Sequence, residues 1–77
     1  MTTREKVLSI LNEVKPTKNL DGVEDIIEGG YIDSFELMLL ISTLSEEFEI
    51  EIDVDDIVPE NFNSVDCIVR MVDRLMK

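Results

Sequence analysis

The chain has 77 residues, 44% of them hydrophobic and 32% charged, and a net charge of −11. That is one small domain, able to bury about 60–65% of its extended surface and too apolar for a disordered tail. With a single cysteine and no histidine, an internal disulfide, a Ser-His-Asp triad and a Cys-His pair are excluded, and transition-metal sites lack ligands.

The N-terminus, Met1-Thr2-Thr3-Arg4-Glu5-Lys6, lacks the apolar run of a signal peptide. A first helix follows, with Val7, Ile10, Leu11 and Val14 on one face, Thr2 and Glu5 as a capping box, and Pro16 as its stop. The connection from Lys15 to Asp33 is long for so small a domain and is expected to hold a partial turn around Val23 to Ile27. Gly29-Gly30 lets the chain bend at its end.

A second helix is predicted from Ser34 to about Phe48, buried along Leu37, Leu40, Ile41, Leu44 and Phe48. Asp33 caps it and Glu36 reaches back three residues later. Ser34 is then the first helical residue, with its hydroxyl at the surface beside unsatisfied N–H groups. A helix N-terminus favours a phosphate, so Ser34 reads as an attachment point rather than a catalyst. The longest apolar run, Leu37 to Ile41, is far too short to span a bilayer, and a soluble, cytoplasmic protein is expected.

Glu49-Ile50-Glu51-Ile52 alternates like a strand but has no evident partner strand. A short helical turn from Val54 to Val58, capped by Asp53 and stopped by Pro59, is the better reading. The last helix is predicted from Ser64 to about Met76, with Asn63 as cap, Asp66 reaching back, and Val65, Ile68, Val69, Val72, Leu75 and Met76 inward. Phe62 anchors the short helix to the core. Cys67 reads as a packed thiol, a small hydrophobe. The fold class is all-α: a small four-helix bundle of three long helices and one short, with a long first loop.

All seven bases lie outside positions 19–69, while fifteen of the eighteen acids lie inside, so that segment carries −15. Such a block repels nucleic acid and anionic lipid and attracts a protein with a basic patch. The run Asp53-Val54-Asp55-Asp56 fails as a calcium loop, since Ile57 and Val58 stand where a ligand and a glycine belong.

Gly30, Asp33-Ser34-Phe35, the apolar helix after them, Glu46-Glu47-Phe48 at its end, and the fourteen-residue step from Ser34 to Phe48 carry a resemblance. Over nearly its whole length the chain resembles the acyl carrier proteins, with their peptidyl and D-alanyl relatives. The resemblance implies a single carrier domain over residues 1–77, monomeric and without enzyme activity. It places 4′-phosphopantetheine covalently on Ser34, with Asp33 as acidic neighbour and Phe35, where the family usually has leucine, beside the arm. The implied partners are a phosphopantetheinyl transferase, an acyl- or aminoacyl-loading enzyme, and a downstream synthase or transferase with basic patches. Docking would use Glu36, Met38, Leu39, Glu46, Glu47, Asp55, Asp56 and Ile57. Leu39 stands where the family often has an acid, so either a larger apolar share in docking is expected or the helix turns to bury it. Cargo stays open among fatty-acyl, polyketide, peptide and D-alanyl groups. The competing readings are an unmodified carrier-like acidic interaction module, an acidic mimic of nucleic acid and a calcium buffer.

Overall fold

A computed structural model describes residues 2–76. Thr2 opens α1, Thr3–Val14, with a closed capping box: its hydroxyl accepts from Glu5 N–H at 3.1 Å and Glu5 accepts from Thr2 N–H at 2.8 Å. Helix α2 runs Ser34–Phe48 with Asp33 as its cap. A single 3-10 turn, Val54–Asp56, precedes a four-residue α3, Pro59–Phe62, and α4 spans Val65–Leu75. No strand forms among the described residues, and no helix among them is long and apolar enough to cross a membrane.

Helix α1 packs against both α2 and α4, and α3 against α4. Each long helix contributes an apolar stripe, but not at every expected position: in α4 Met71 is buried while Met76 is exposed and Val69 and Leu75 are half-buried, and in α2 Leu37 is half-buried. Val7, Ile10, Leu11 and Val14 meet Leu40, Ile41, Leu44 and Phe48 and the inner face of α4, formed by Val65, Ile68, Met71 and Val72. Phe62 from α3 and Leu20, Ile26 and Ile32 from the first loop complete the core. Each such side chain stabilises the fold by about 1.5–3 kcal/mol. Among the described residues no polar or charged side chain is buried.

Two local expectations give way to other arrangements. Pro59 starts α3 instead of stopping the turn before it. Proline suits the first helical position, where no N–H partner is needed, and Val58 before it is extended, as the residue before proline tends to be. At α4, Ser64 rather than Asn63 is the cap, accepting from Cys67 N–H at 3.1 Å, and Asp66 turns to Arg4 instead of reaching back.

Asn63 is thereby available to hold the first loop. Its carbonyl accepts from Ile26 N–H at 2.9 Å, and its side-chain oxygen accepts from Ile27 and Glu28 N–H at 3.0 and 3.1 Å. Its amide nitrogen donates to Glu28 Oε1 at 3.0 Å. The loop's turn falls at 26–30, a little later than expected. Gly29 is required there, because a Cβ would lie 2.6 Å from the Asp25 carbonyl oxygen. Asn63→Ala removes the acceptor of two N–H groups. The expected cost is about 1–3 kcal/mol, with amide exchange accelerated first at Ile27 and Glu28 in an NMR exchange experiment.

Helix α2 ends with Glu49 in the left-handed region at φ 54°, and Ile50 N–H reaches back to the Ser45 carbonyl at 3.1 Å. Left-handed geometry is unfavourable for glutamate, and its negative charge sits at the negative end of the helix dipole. Glu49→Gly should therefore stabilise the fold by about 0.5–1 kcal/mol, read as a Tm raised by roughly 2–8 °C.

Candidate functional site

The segment leading into α2 is positioned from both sides. Ile32 is buried, Tyr31 is half-buried with the Lys18 ammonium 5.4 Å from its ring centre, and Gly30 supplies the positive φ of 74° that turns the chain upward. Asp33 Oδ1 accepts from Glu36 N–H at 2.8 Å, and Glu36 Oε1 accepts from Asp33 N–H at 2.9 Å. The other oxygen of Glu36 pairs with Lys15 Nζ at 3.4 Å, which ties the start of α2 to the end of α1.

Ser34 is exposed at the first position of α2. Its hydroxyl makes no hydrogen bond to a described residue, and the N–H groups of Ser34 and Phe35 have no acceptor among the described residues. Asp33 Oδ1 and Glu36 Oε1 serve the cap, and no carboxylate among the described residues accepts from the Ser34 hydroxyl, so no base is arranged to activate it. The geometry suits a hydroxyl that carries a group, with a phosphate accommodated at the N-terminus of a fifteen-residue helix.

One turn further on, Leu37 borders a small apolar groove of about 140 Å³, closed by Ile27, Ile57, Val58, Pro59 and Phe62. A more polar hollow of about 330 Å³ lies between the starts of α1 and α4 and the first loop, lined by residues including Arg4, Gly22, Cys67 and Arg70. Arg4 is already committed there to Asp21, at 2.9 Å, and to Asp66, and none of the lining residues adjoins Ser34.

Residues 4–73 match the family described as "Phosphopantetheine attachment site". The chain belongs to that family. It is also 30% identical, over 76 residues, to the D-alanyl carrier protein of Lactobacillus acidophilus, a match covering 97% of this chain and 96% of that protein. As a phosphopantetheine carrier it uses the covalent arm as its cofactor and carries cargo without catalysing its conversion. A carrier engages a phosphopantetheinyl transferase and loading enzymes. The all-helical bundle expected from the apolar periodicity is the one observed.

The carrier's proposed docking residues are unequally placed. Met38, Leu39, Glu46, Glu47 and Asp55 are exposed. Leu39 is 45% and Met38 61% exposed, so α2 has not turned to bury either. Phe35, at 78%, stands clear of the bundle beside Ser34. Glu36 is held in the cap and against Lys15, and Asp56 accepts from Asp53 N–H at 3.3 Å and faces Arg74 at 3.6 Å. Ile57 lines the groove, half-buried. The sequence does not single out Leu37, Ile27 and Pro59 as groove residues, because they converge from separate segments, where Leu37 reads as core, Ile27 as part of the loop's turn and Pro59 as a stop. Val54, 83% exposed between acids, was also missed; its isolation within an acidic run was the available signal.

Proposed function

We propose that this chain is a carrier that bears 4′-phosphopantetheine on Ser34 and shuttles a small thioester-bound group, aminoacyl in preference to long-chain acyl. The observation that carries the site is the exposed hydroxyl of Ser34 at the first position of α2, with no base poised against it. Asp33 fixes the helix start, and the N–H groups of Ser34 and Phe35 are available to the arm's phosphate. When bound, the arm supplies the thiol on which cargo is held as a thioester; the protein's part is to hold the attachment point and to present it.

Support for small cargo comes from the groove and from the relative. At about 140 Å³ the groove holds roughly five groups of water size, too few for a long alkyl chain. The Lactobacillus acidophilus protein is named for a D-alanyl group, which is small and polar enough to remain in solvent. A carrier of this kind gains from holding its cargo at high effective concentration near each docked enzyme.

The test loads the protein with coenzyme A, magnesium and a broad-specificity phosphopantetheinyl transferase, then follows it by intact-mass spectrometry and fragmentation. One phosphopantetheine on Ser34 is expected. Preparations carrying alanyl and octanoyl thioesters then address cargo. Neither should slow amide exchange at Leu37 or Phe62, whereas marked slowing with octanoyl would show that the groove opens to receive a chain and would overturn the small-cargo reading.

A further inference from the structure

Where α1 gives way to the first loop, Lys15-Pro16-Thr17-Lys18 forms a tight turn. Lys18 N–H bonds the Lys15 carbonyl at 3.3 Å, and Pro16 brings a fixed φ to the second position, where such turns favour proline. The turn is anchored behind by Lys15 N–H on the Leu11 carbonyl at 2.8 Å, and ahead by the buried Leu20. Its two ends are therefore held at a set separation on the last turn of α1.

Each end carries a lysine, and both lysines reach the segment that bears Ser34. Lys18 places its ammonium 5.4 Å from the ring centre of Tyr31, three residues before the serine. Lys15 pairs at 3.4 Å with Glu36, two residues after it. The other oxygen of Glu36 accepts from Asp33 N–H, so the hold of Lys15 passes to the residue next to Ser34. The other described bases turn elsewhere: Arg4 to Asp21 and Asp66, Lys6 to Phe48, Arg70 to Cys67 and Arg74 to Asp56. The attachment segment thus draws both of its cations from one four-residue turn. Each contact alone is weak, since the ion pair is partly solvated and Lys18 is exposed. The fold itself rests on the buried core. Acting together from an ordered turn, the two contacts restrict one short segment rather than hold the domain together.

Resting on the reading of Ser34 as the attachment point, we propose that Lys15 and Lys18 are positioning residues for phosphopantetheine transfer, clamping residues 31–36 on either side of the serine. In that transfer the Ser34 oxygen bonds to the pantetheine-bearing phosphorus of coenzyme A. The pyrophosphate bond breaks, adenosine 3′,5′-bisphosphate leaves, and the serine proton passes to a base of the transferase. The reacting oxygen must be presented at about 3–3.5 Å from phosphorus and in line, and small displacements there cost rate steeply. A clamped segment offers the oxygen already in place, whereas a loose one has to be ordered within the complex.

The test measures initial rates of transfer to the full apo chain over a range of its concentrations, read by intact mass. Coenzyme A, magnesium and a broad-specificity phosphopantetheinyl transferase are supplied. Lys15→Met with Lys18→Met keeps two long side chains and removes their charge. In this variant kcat should fall about three- to tenfold while KM stays within about twofold. Amide exchange from Tyr31 to Glu36 should quicken by a similar factor, with Tm lowered by no more than about 8 °C. Lys15→Arg with Lys18→Arg returns a cation to each contact and should bring kcat back to within about twofold of wild type. Lys6→Met removes a charge beside Phe48, at the other end of α2, and should leave both constants within about twofold. A wild type that takes up no arm defeats the Ser34 reading, and the clamp with it. With wild type modified, an unchanged kcat in the folded Lys15/Lys18 methionine variant overturns the clamp alone. So does a raised KM at unchanged kcat, which would make the lysines contacts for the transferase. A loss that arginine does not restore, or that Lys6→Met reproduces, overturns it as well.

Discussion

Replacing Ser34 by alanine should leave a folded protein that takes up no phosphopantetheine under conditions that modify wild type completely. The hydroxyl is exposed and bonded to no described residue, so its loss should change stability by no more than about 0.5 kcal/mol. Alanine is a good helix former at the same place. The capping box, made by Asp33 and Glu36, does not involve Ser34 and survives the change. The measurement is intact mass paired with a circular-dichroism melt. Retained uptake would place the arm on another residue, whereas lost uptake with an unaltered melt assigns the attachment oxygen to Ser34.

Phe62→Ala should produce the largest loss of stability of any single change in the short helix. Phe62 is 1% exposed and joins α3 to the core that α1, α2 and α4 share. Truncating a buried phenylalanine costs about 3–5 kcal/mol, of which part is the cavity left behind. A 77-residue domain holds only about 4–12 kcal/mol in total. A urea melt should therefore show a midpoint lowered by about a quarter or more of its wild-type value, with the slope preserved. Phe62 is also a wall of the groove near Ser34. The same substitution should accordingly let an octanoyl thioester slow amide exchange at Leu37, an effect not expected in wild type.

The long helices were legible because their signals are local and repeated. Val7, Ile10, Leu11 and Val14 form an apolar stripe whatever surrounds them, and the Asp33 to Glu36 spacing describes a helix start by itself. The same locality placed Ser34 at the first helical position. Single residues with two competing uses were harder. Pro59 stops one helix by the same absence of N–H that lets it start the next. Asn63 and Ser64 are both good caps, and only the first loop, arriving from 35 to 37 residues earlier, decides which is used. The pairing of Glu36 with Lys15 across 21 positions had no local signature, so Glu36 was grouped with the docking acids although the fold employs it. The groove, contributed by α2, α3, the first loop and the stretch before Pro59, could be seen only once those segments had met.

The first loop, though long, is fastened along its length. Arg4 holds it at Asp21, Asn63 at 26–28, and Lys15, bonded to Glu36, secures the point where it enters α2. A carrier needs reach, and a slack loop would supply it by letting the attachment point wander. Here the division of labour is different: the protein is the mounting plate and the prosthetic arm is the lever. With Ser34 as the proposed attachment point, the volume that the cargo can explore is a cap centred on one fixed oxygen, set by the arm's own length. An enzyme gains access by seating the plate correctly, and need not wait for the plate to bend.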